Sequence, residues 1–135
     1  MKVTVTVDLS ADGKARLADN RKIADLNPKE LFLCAAAKCA ALTLHGILEK
    51  ERIAPKSTTL ELSGELDTDS VMARSVYTSF NICYRIECKT ISEQAKISRA
   101  VQLTTDKYCG LFQMLRQIAP LSHQIEIVSV ETVEA

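Results

Sequence analysis

Asn27-Pro28-Lys29-Glu30-Leu31-Phe32-Leu33-Cys34-Ala35-Ala36-Ala37-Lys38-Cys39-Ala40-Ala41-Leu42-Thr43-Leu44-His45-Gly46-Ile47-Leu48 is the stretch on which the fold turns. Asn27 is a good helix N-cap, and Pro28 falls at the first helical position, where its missing N–H is not needed. From Leu31 to Leu48 the helix so started is apolar almost all round, broken mainly by Lys38, Thr43 and His45. A helix hydrophobic on every side is either buried or spans a membrane. This run is about the shortest that crosses a bilayer, and Lys38 near its middle would be costly there. A buried central helix is therefore predicted. A chain of 135 residues has little material to cover such a helix on all faces, so a partner subunit is expected.

Outward from the helix, alternation takes over. Val3, Val5, Val7 and Leu9 alternate with Thr4, Thr6 and Asp8, the pattern of a half-buried strand. Ser10-Ala11-Asp12-Gly13 supplies turn chemistry before a short strand over Lys14 to Leu17, completing a hairpin. Ala18 to Leu26 reads as polar and irregular. Thr58 to Leu66 alternates cleanly, and Ser75 to Cys88 does so over a longer stretch. There Val76, Phe80, Ile82, Tyr84, Ile86 and Cys88 share one parity, with Thr78 as the exception. Antiparallel strands with one wet face fit this pattern. Ser92 is expected to cap a helix carrying Ile97, Ala100 and Val101. Leu111, Met114, Leu115 and Ile118 mark a further helix after Cys109, ending before Pro120. His123 to Val130 closes as a strand. The order β-β-α-β-β-α-α-β predicts one α+β domain over residues 1–135, with helices packed on antiparallel sheet.

Lys plus Arg total 17 and Asp plus Glu total 17, so overall charge draws the chain neither to nucleic acid nor to an anionic membrane. Met1 to Val7 alternates and lacks the apolar core of a signal peptide, so a reducing cytoplasm is the expected location. Five cysteines in that setting do not suggest a disulfide framework. Cys34-x4-Cys39 and Cys83-x4-Cys88 are also poor zinc spacings. Five residues turn a helical side chain by about 140°, and along a strand they reach the opposite face. No metal or bound cofactor is expected.

Cys39 lies mid-helix among Ala35, Ala36, Leu42 and Thr43, small neighbours that leave space above the sulfur. From position alone a buried structural cysteine is the more common occupant of such a site, with a reactive one the alternative. Cys109 opens the helix that follows it, where unpaired N–H groups and the helix dipole favour a thiolate. Position alone leaves both readings open there too, and on electrostatics Cys109 is expected to be the more acidic of the two thiols. Cys34, Cys83 and Cys88 read as structural. His45 and His123 stand without a motif and receive no role.

Asn27-Pro28-Lys29-Glu30-Leu31-Phe32 followed by Ala37-Lys38-Cys39-Ala40 resembles the N-P-x-E/Q-L…A-x-C segment of the OsmC/Ohr family. Lys107-Tyr108-Cys109-Gly110 at a helix start resembles that family's second cysteine motif. With the closing His123-Gln124-Ile125-Glu126-Ile127 strand, the likeness is to its YhfA-like branch. The resemblance implies antiparallel sheets packed around a long central helix in an intertwined homodimer with sites at the interface. It also implies reduction of organic hydroperoxides, with Cys39 attacking the peroxide, Cys109 resolving the sulfenic acid as a disulfide, and an external dithiol of lipoyl type restoring the thiols. Two positions depart from the family pattern. Lys29 stands where the family glutamate commonly follows the proline, with Glu30 next to it, and the family arginine has only Arg16 or Arg21 as counterpart. The same fold also admits a non-catalytic module binding a small molecule or electrophile, or a thiol redox sensor.

Overall fold

The computed structural model describes residues 1–130; the last five residues of the expected domain lie outside the described residues. Helix α1 (Pro28–Lys50) begins where the sequence places it. The Asn27 side chain accepts from the Glu30 N–H at 2.9 Å, and the Glu30 carboxylate accepts from the Asn27 N–H at 3.1 Å. Each satisfies one N–H that a helix start otherwise leaves unpaired.

Strands β1 (Lys2–Leu9), β2 (Ala15–Leu17), β3 (Ser57–Leu66), β4 (Tyr77–Cys88) and β5 (Leu121–Ser129) form one sheet in the order β2-β1-β3-β4-β5. Helices α1, α2 (Gln94–Leu103) and α3 (Gly110–Ile118) pack on one face of it. Val3, Val5 and Val7 of β1, Leu60 and Leu62 of β3, and Phe80, Ile82, Tyr84 and Ile86 of β4 meet Leu33, Ala37, Ala40, Leu44 and Leu48 of α1 there. Phe112 and Leu115 of α3 close the same core. Alanines at two consecutive helical turns, Ala36 and Ala37 then Ala40 and Ala41, let α1 lie close against the β-branched strand residues, the small-against-large matching that dense packing requires.

The sheet differs from expectation in one respect. β5 runs parallel to β4, from Phe80↔Leu121 to Cys88↔Ser129, so the sheet is mixed rather than antiparallel. A parallel pair needs a long crossover, and residues 89–120 with α2 and α3 provide it. The Thr78 exception also finds its cause. The β3–β4 register shifts between Glu65 and Leu66, where Leu66 pairs with Tyr77 while Glu65 pairs with Ser79. This bulge flips the parity, burying Tyr77 and leaving Val76 exposed. Thr90, not Ser92, begins the second helical stretch through a capping box with Glu93. The Ala18–Leu26 stretch holds a short 3-10 turn, Ile23–Asp25.

In the single chain α1 is covered on one side only. Leu31, Phe32 and Leu42 stay 43%, 41% and 49% exposed, with Ala35 and Gly46 open between them. By length and composition α1 is apolar enough to cross a membrane, and its other side is packed into the core.

Candidate active site

Cys39 stands on the flank of α1 that faces the third helix, half-buried beside Ala35 and Ala36. Its carbonyl accepts the Thr43 hydroxyl at 2.8 Å. Opposite it, Cys109 is the N-cap of α3 and is 0% exposed. The two side chains lie near enough for Cys39 to act on the Cys109 thiol and raise its pKa. Cys34, Cys83 and Cys88 do not join them. Cys34 sits in the core beside the floor of a cleft lined by Arg16, Arg21 and Lys38. Cys83 lies on the opposite face of the sheet, near Glu61, Arg85 and Glu126. Cys88 is buried at the end of β4, its S–H donating to the Thr90 carbonyl at 3.3 Å.

The expected acidity of Cys109 is overturned. Burial pushes its thiol up, and Cys39's hydrogen bond and negative charge push the same way. The N–H groups of Phe112 and Leu111 at the start of α3 pull in the opposite direction and lose. A helix terminus stabilises a thiolate by about 1 kcal/mol, whereas desolvating a charge costs several. Cys109 is therefore held as a thiol.

The segment that presents Cys109 was not legible as a special element. Residues Thr104–Tyr108 form a π turn, in which the Cys109 N–H reaches back to the Thr104 carbonyl at 3.0 Å. Thr104 and Thr105 donate their hydroxyls to the Ala100 and Val101 carbonyls, both at 2.9 Å. Side-chain bonds of this kind accompany an opened helical ladder. Tyr84 reaches Thr105 at 2.8 Å from beneath, fully buried. From α3, Gln113 donates to the Thr105 carbonyl at 3.3 Å and Arg116 to the Asp106 carboxylate at 3.0 Å. The adjacent threonines were the one local signal, and only their partners give them meaning.

The supporting residues separate. Arg21 and Glu30 form an ion pair at 2.6 Å, which lowers the Glu30 pKa chiefly through the Arg21 hydrogen bond. One carboxylate thus closes the helix cap and anchors the preceding loop. Arg16 lies exposed on β2, opposite Asp8 in the β1 register. Lys29 turns toward the β3–β4 connection, its ammonium 3.5 Å from the Ala73 carbonyl, while Tyr77 donates to the Lys29 carbonyl at 2.6 Å. Ten residues of helix put Lys29 about 15 Å along the axis from Cys39 of its own chain. His45 pairs with Glu49 at 3.0 Å and packs against Gly13. Gly13 has φ +84°, and a Cβ there would lie 2.8 Å from the imidazole. Among the described residues, no group of three or more His, Cys, Asp or Glu gathers as metal ligands would.

A helix-borne, half-buried cysteine paired with a buried cysteine at the mouth of a second helix, over a five-stranded sheet, defines a thiol-pair α+β protein. The family described as OsmC-like protein matches residues 18–124, and the chain belongs to it. Protein YhfA of Escherichia coli (strain K12) is 28% identical over 103 residues, 76% of this chain and 74% of that protein. A hypothetical protein from Aquifex aeolicus VF5 shares the fold with a TM-score of 0.66 at 24% identity, over 97% of this chain and 100% of that one. The organic hydroperoxide resistance protein OhrB of Bacillus subtilis does so with a TM-score of 0.54 at 15% identity, over 93% and 98%. At these identities the solved structures speak to the fold.

Proposed function

We propose that this protein reduces organic hydroperoxides to alcohols, with Cys39 attacking and Cys109 resolving. The observation that carries the reading is the approach of two thiols from separate helices, Cys39 being the one cysteine that acts on Cys109. The Cys39 sulfur takes the terminal oxygen of the hydroperoxide as the O–O bond breaks, leaving a sulfenic acid and releasing the alcohol. The Cys109 thiol condenses with that sulfenic acid, water leaves, and an S–S bond joins the helices. An external dithiol returns two electrons and two protons.

Arg21, rather than Arg16, takes the supporting role in this reading, because Glu30 already fixes its guanidinium. The exposed Leu31, Phe32 and Leu42 face of α1 is the surface a second copy covers in a homodimer, and Arg21, Glu30 and Lys29 act there on the partner's thiol. Ala35 and Leu42 make the approach to Cys39 apolar, so a hydrocarbon tail gains about 25 cal/mol per Å² buried and bulky hydroperoxides are preferred to hydrogen peroxide. The test is multi-turnover consumption of cumene hydroperoxide with dihydrolipoamide as reductant. Turnover exceeding that with hydrogen peroxide supports the reading; an intact thiol pair with no turnover ends it. In that case the engaged Glu30 carboxylate and the lysine at position 29 favour a binding module on the same fold.

A further inference from the structure

The two members of the pair differ in access, and that difference has a chemical consequence once they are joined. Cys109 has no exposed surface; it is enclosed by the π turn, by Tyr84 beneath and by the start of α3. Cys39 lies on the half-open flank of α1, with Cys109 on its inner side. Thiol–disulfide exchange proceeds by a thiolate striking one sulfur while the other leaves. The line that ends on Cys39 with Cys109 departing starts at the open side of α1, along the apolar approach that Ala35 and Leu42 leave beside a second copy, whereas the line that ends on Cys109 passes through the packed side chains of its own subunit.

We infer that the reducing thiol attacks Cys39 and never Cys109, so that the mixed disulfide forms on the same sulfur that meets the peroxide and Cys109 serves only as the leaving group. This rests on the redox-pair reading above. In the first step the reductant thiolate forms an S–S bond to Cys39 and the Cys39–Cys109 bond breaks. Cys109 departs with the electron pair toward the N–H groups of Leu111 and Phe112, and the reductant's second thiol supplies its proton. In the second step that now-ionised thiol attacks the reductant sulfur bound to Cys39, closing a cyclic disulfide. Cys39 leaves as a thiolate and takes the proton that the first attacking thiol gave to water. Two electrons and two protons pass from the dithiol to the protein.

A competing effect runs the other way. A thiol that burial makes hard to ionise is a poor leaving group, which favours expelling Cys39 instead. Access outweighs it, because a leaving-group preference scales a rate, whereas a sulfur with no exposed surface is reached only after the π turn opens. The N–H groups at the start of α3 also receive the departing charge. Leu111 and Phe112 thus act through their backbones as positioning residues for release.

The experiment uses the full chain and needs no peroxidase activity. One equivalent of diamide takes two electrons and two protons from the thiol pair and forms the disulfide. A brief exposure to the monothiol 2-mercaptoethanol, quenched in acid, then leaves a mixed disulfide that peptide mapping without reduction locates. The adduct is expected on Cys39 in at least roughly tenfold excess over Cys109. An adduct on Cys109, or an even division, overturns the inference. If diamide forms no Cys39–Cys109 bond, the inference falls together with the redox-pair reading. An adduct on Cys39 in a protein that does not consume organic hydroperoxides upholds the inference and sinks the peroxidase reading alone. As a second measurement, Cys109→Ser should leave Cys39 open to an aromatic disulfide reagent. Cys39→Ser should leave Cys109 unlabelled until denaturant is added; rapid labelling of Cys109 in the folded variant also overturns the inference.

Discussion

Cys34 and Cys39 lie five residues apart on one helix and have opposite circumstances. Cys34 has the cations: Lys38 and Arg21 both act to lower its pKa, yet burial wins and its thiol is pushed up. Cys39 has instead a half-open position and a second sulfur within hydrogen-bonding reach. A positive neighbour therefore does not by itself make a reactive cysteine. What separates the two flanks of α1 is an open side at the Cys39 sulfur and a second thiol behind it, and both come from the elements packed around the helix.

The largest effect that can test this contrast is on turnover. Cys39→Ser should abolish consumption of cumene hydroperoxide, while Cys34→Ala should retain it, since Cys39 acts on the Cys109 thiol and Cys34 does not. Cys109→Ser should leave a sulfenic acid on Cys39 that dimedone captures. Equal losses from the Cys34 and Cys39 variants would erase the distinction between the flanks.

A smaller effect separates the packed and open sides of the same helix. Leu44 is 0% exposed and Leu42 is 49% exposed, two residues apart. Leu44→Ala should cost about 2–5 kcal/mol in denaturant unfolding, the range for a core leucine whose cavity cannot fully collapse. Leu42→Asp should leave the folded subunit nearly as stable but shift a homodimer toward monomer in sedimentation. A Leu42→Asp protein that sediments as the parent does would remove the open face from any assembly.

The smallest effect lies at the start of the helix. The Glu30 carboxyl is held below its ordinary 4.5, chiefly by the Arg21 hydrogen bond, so its folded-state pKa is depressed. Its contribution is complete above the unfolded value and is lost as pH falls through the folded one. Glu30→Gln should therefore lower stability by about 1 kcal/mol at neutral pH. The difference should vanish as the medium is acidified below that range. A gap between the two proteins that stays constant down to strong acid would show that the ion pair is not its source.

Much of the molecule is readable locally, and the failures have physical causes. Asn27, Pro28 and Glu30 announce the helix start because capping acts over three residues. The alternation of β1, β3 and β4 is visible because a strand with one dry face must repeat every two residues. Thr78 broke that alternation in plain sight, but recognising a bulge required the partner strand's register. The direction of β5 left no mark, since a parallel and an antiparallel edge strand carry the same apolar alternation. Only the path of residues 89–120 across the helical face sets which way the chain enters.

The cysteine pair divides in the same way. The residues around Cys39 and Cys109 carried the resemblance that names the family, because each motif is a contiguous run of side chains, while position alone left both cysteines open. That Cys109 is the fully buried one, and is held as a thiol, was decided by tertiary structure. The sequence places Cys109 at a helix start, a local and modestly acidifying position. Desolvation depends on atoms brought from β4, the π turn and α1, residues distant along the chain, and it is the larger energy.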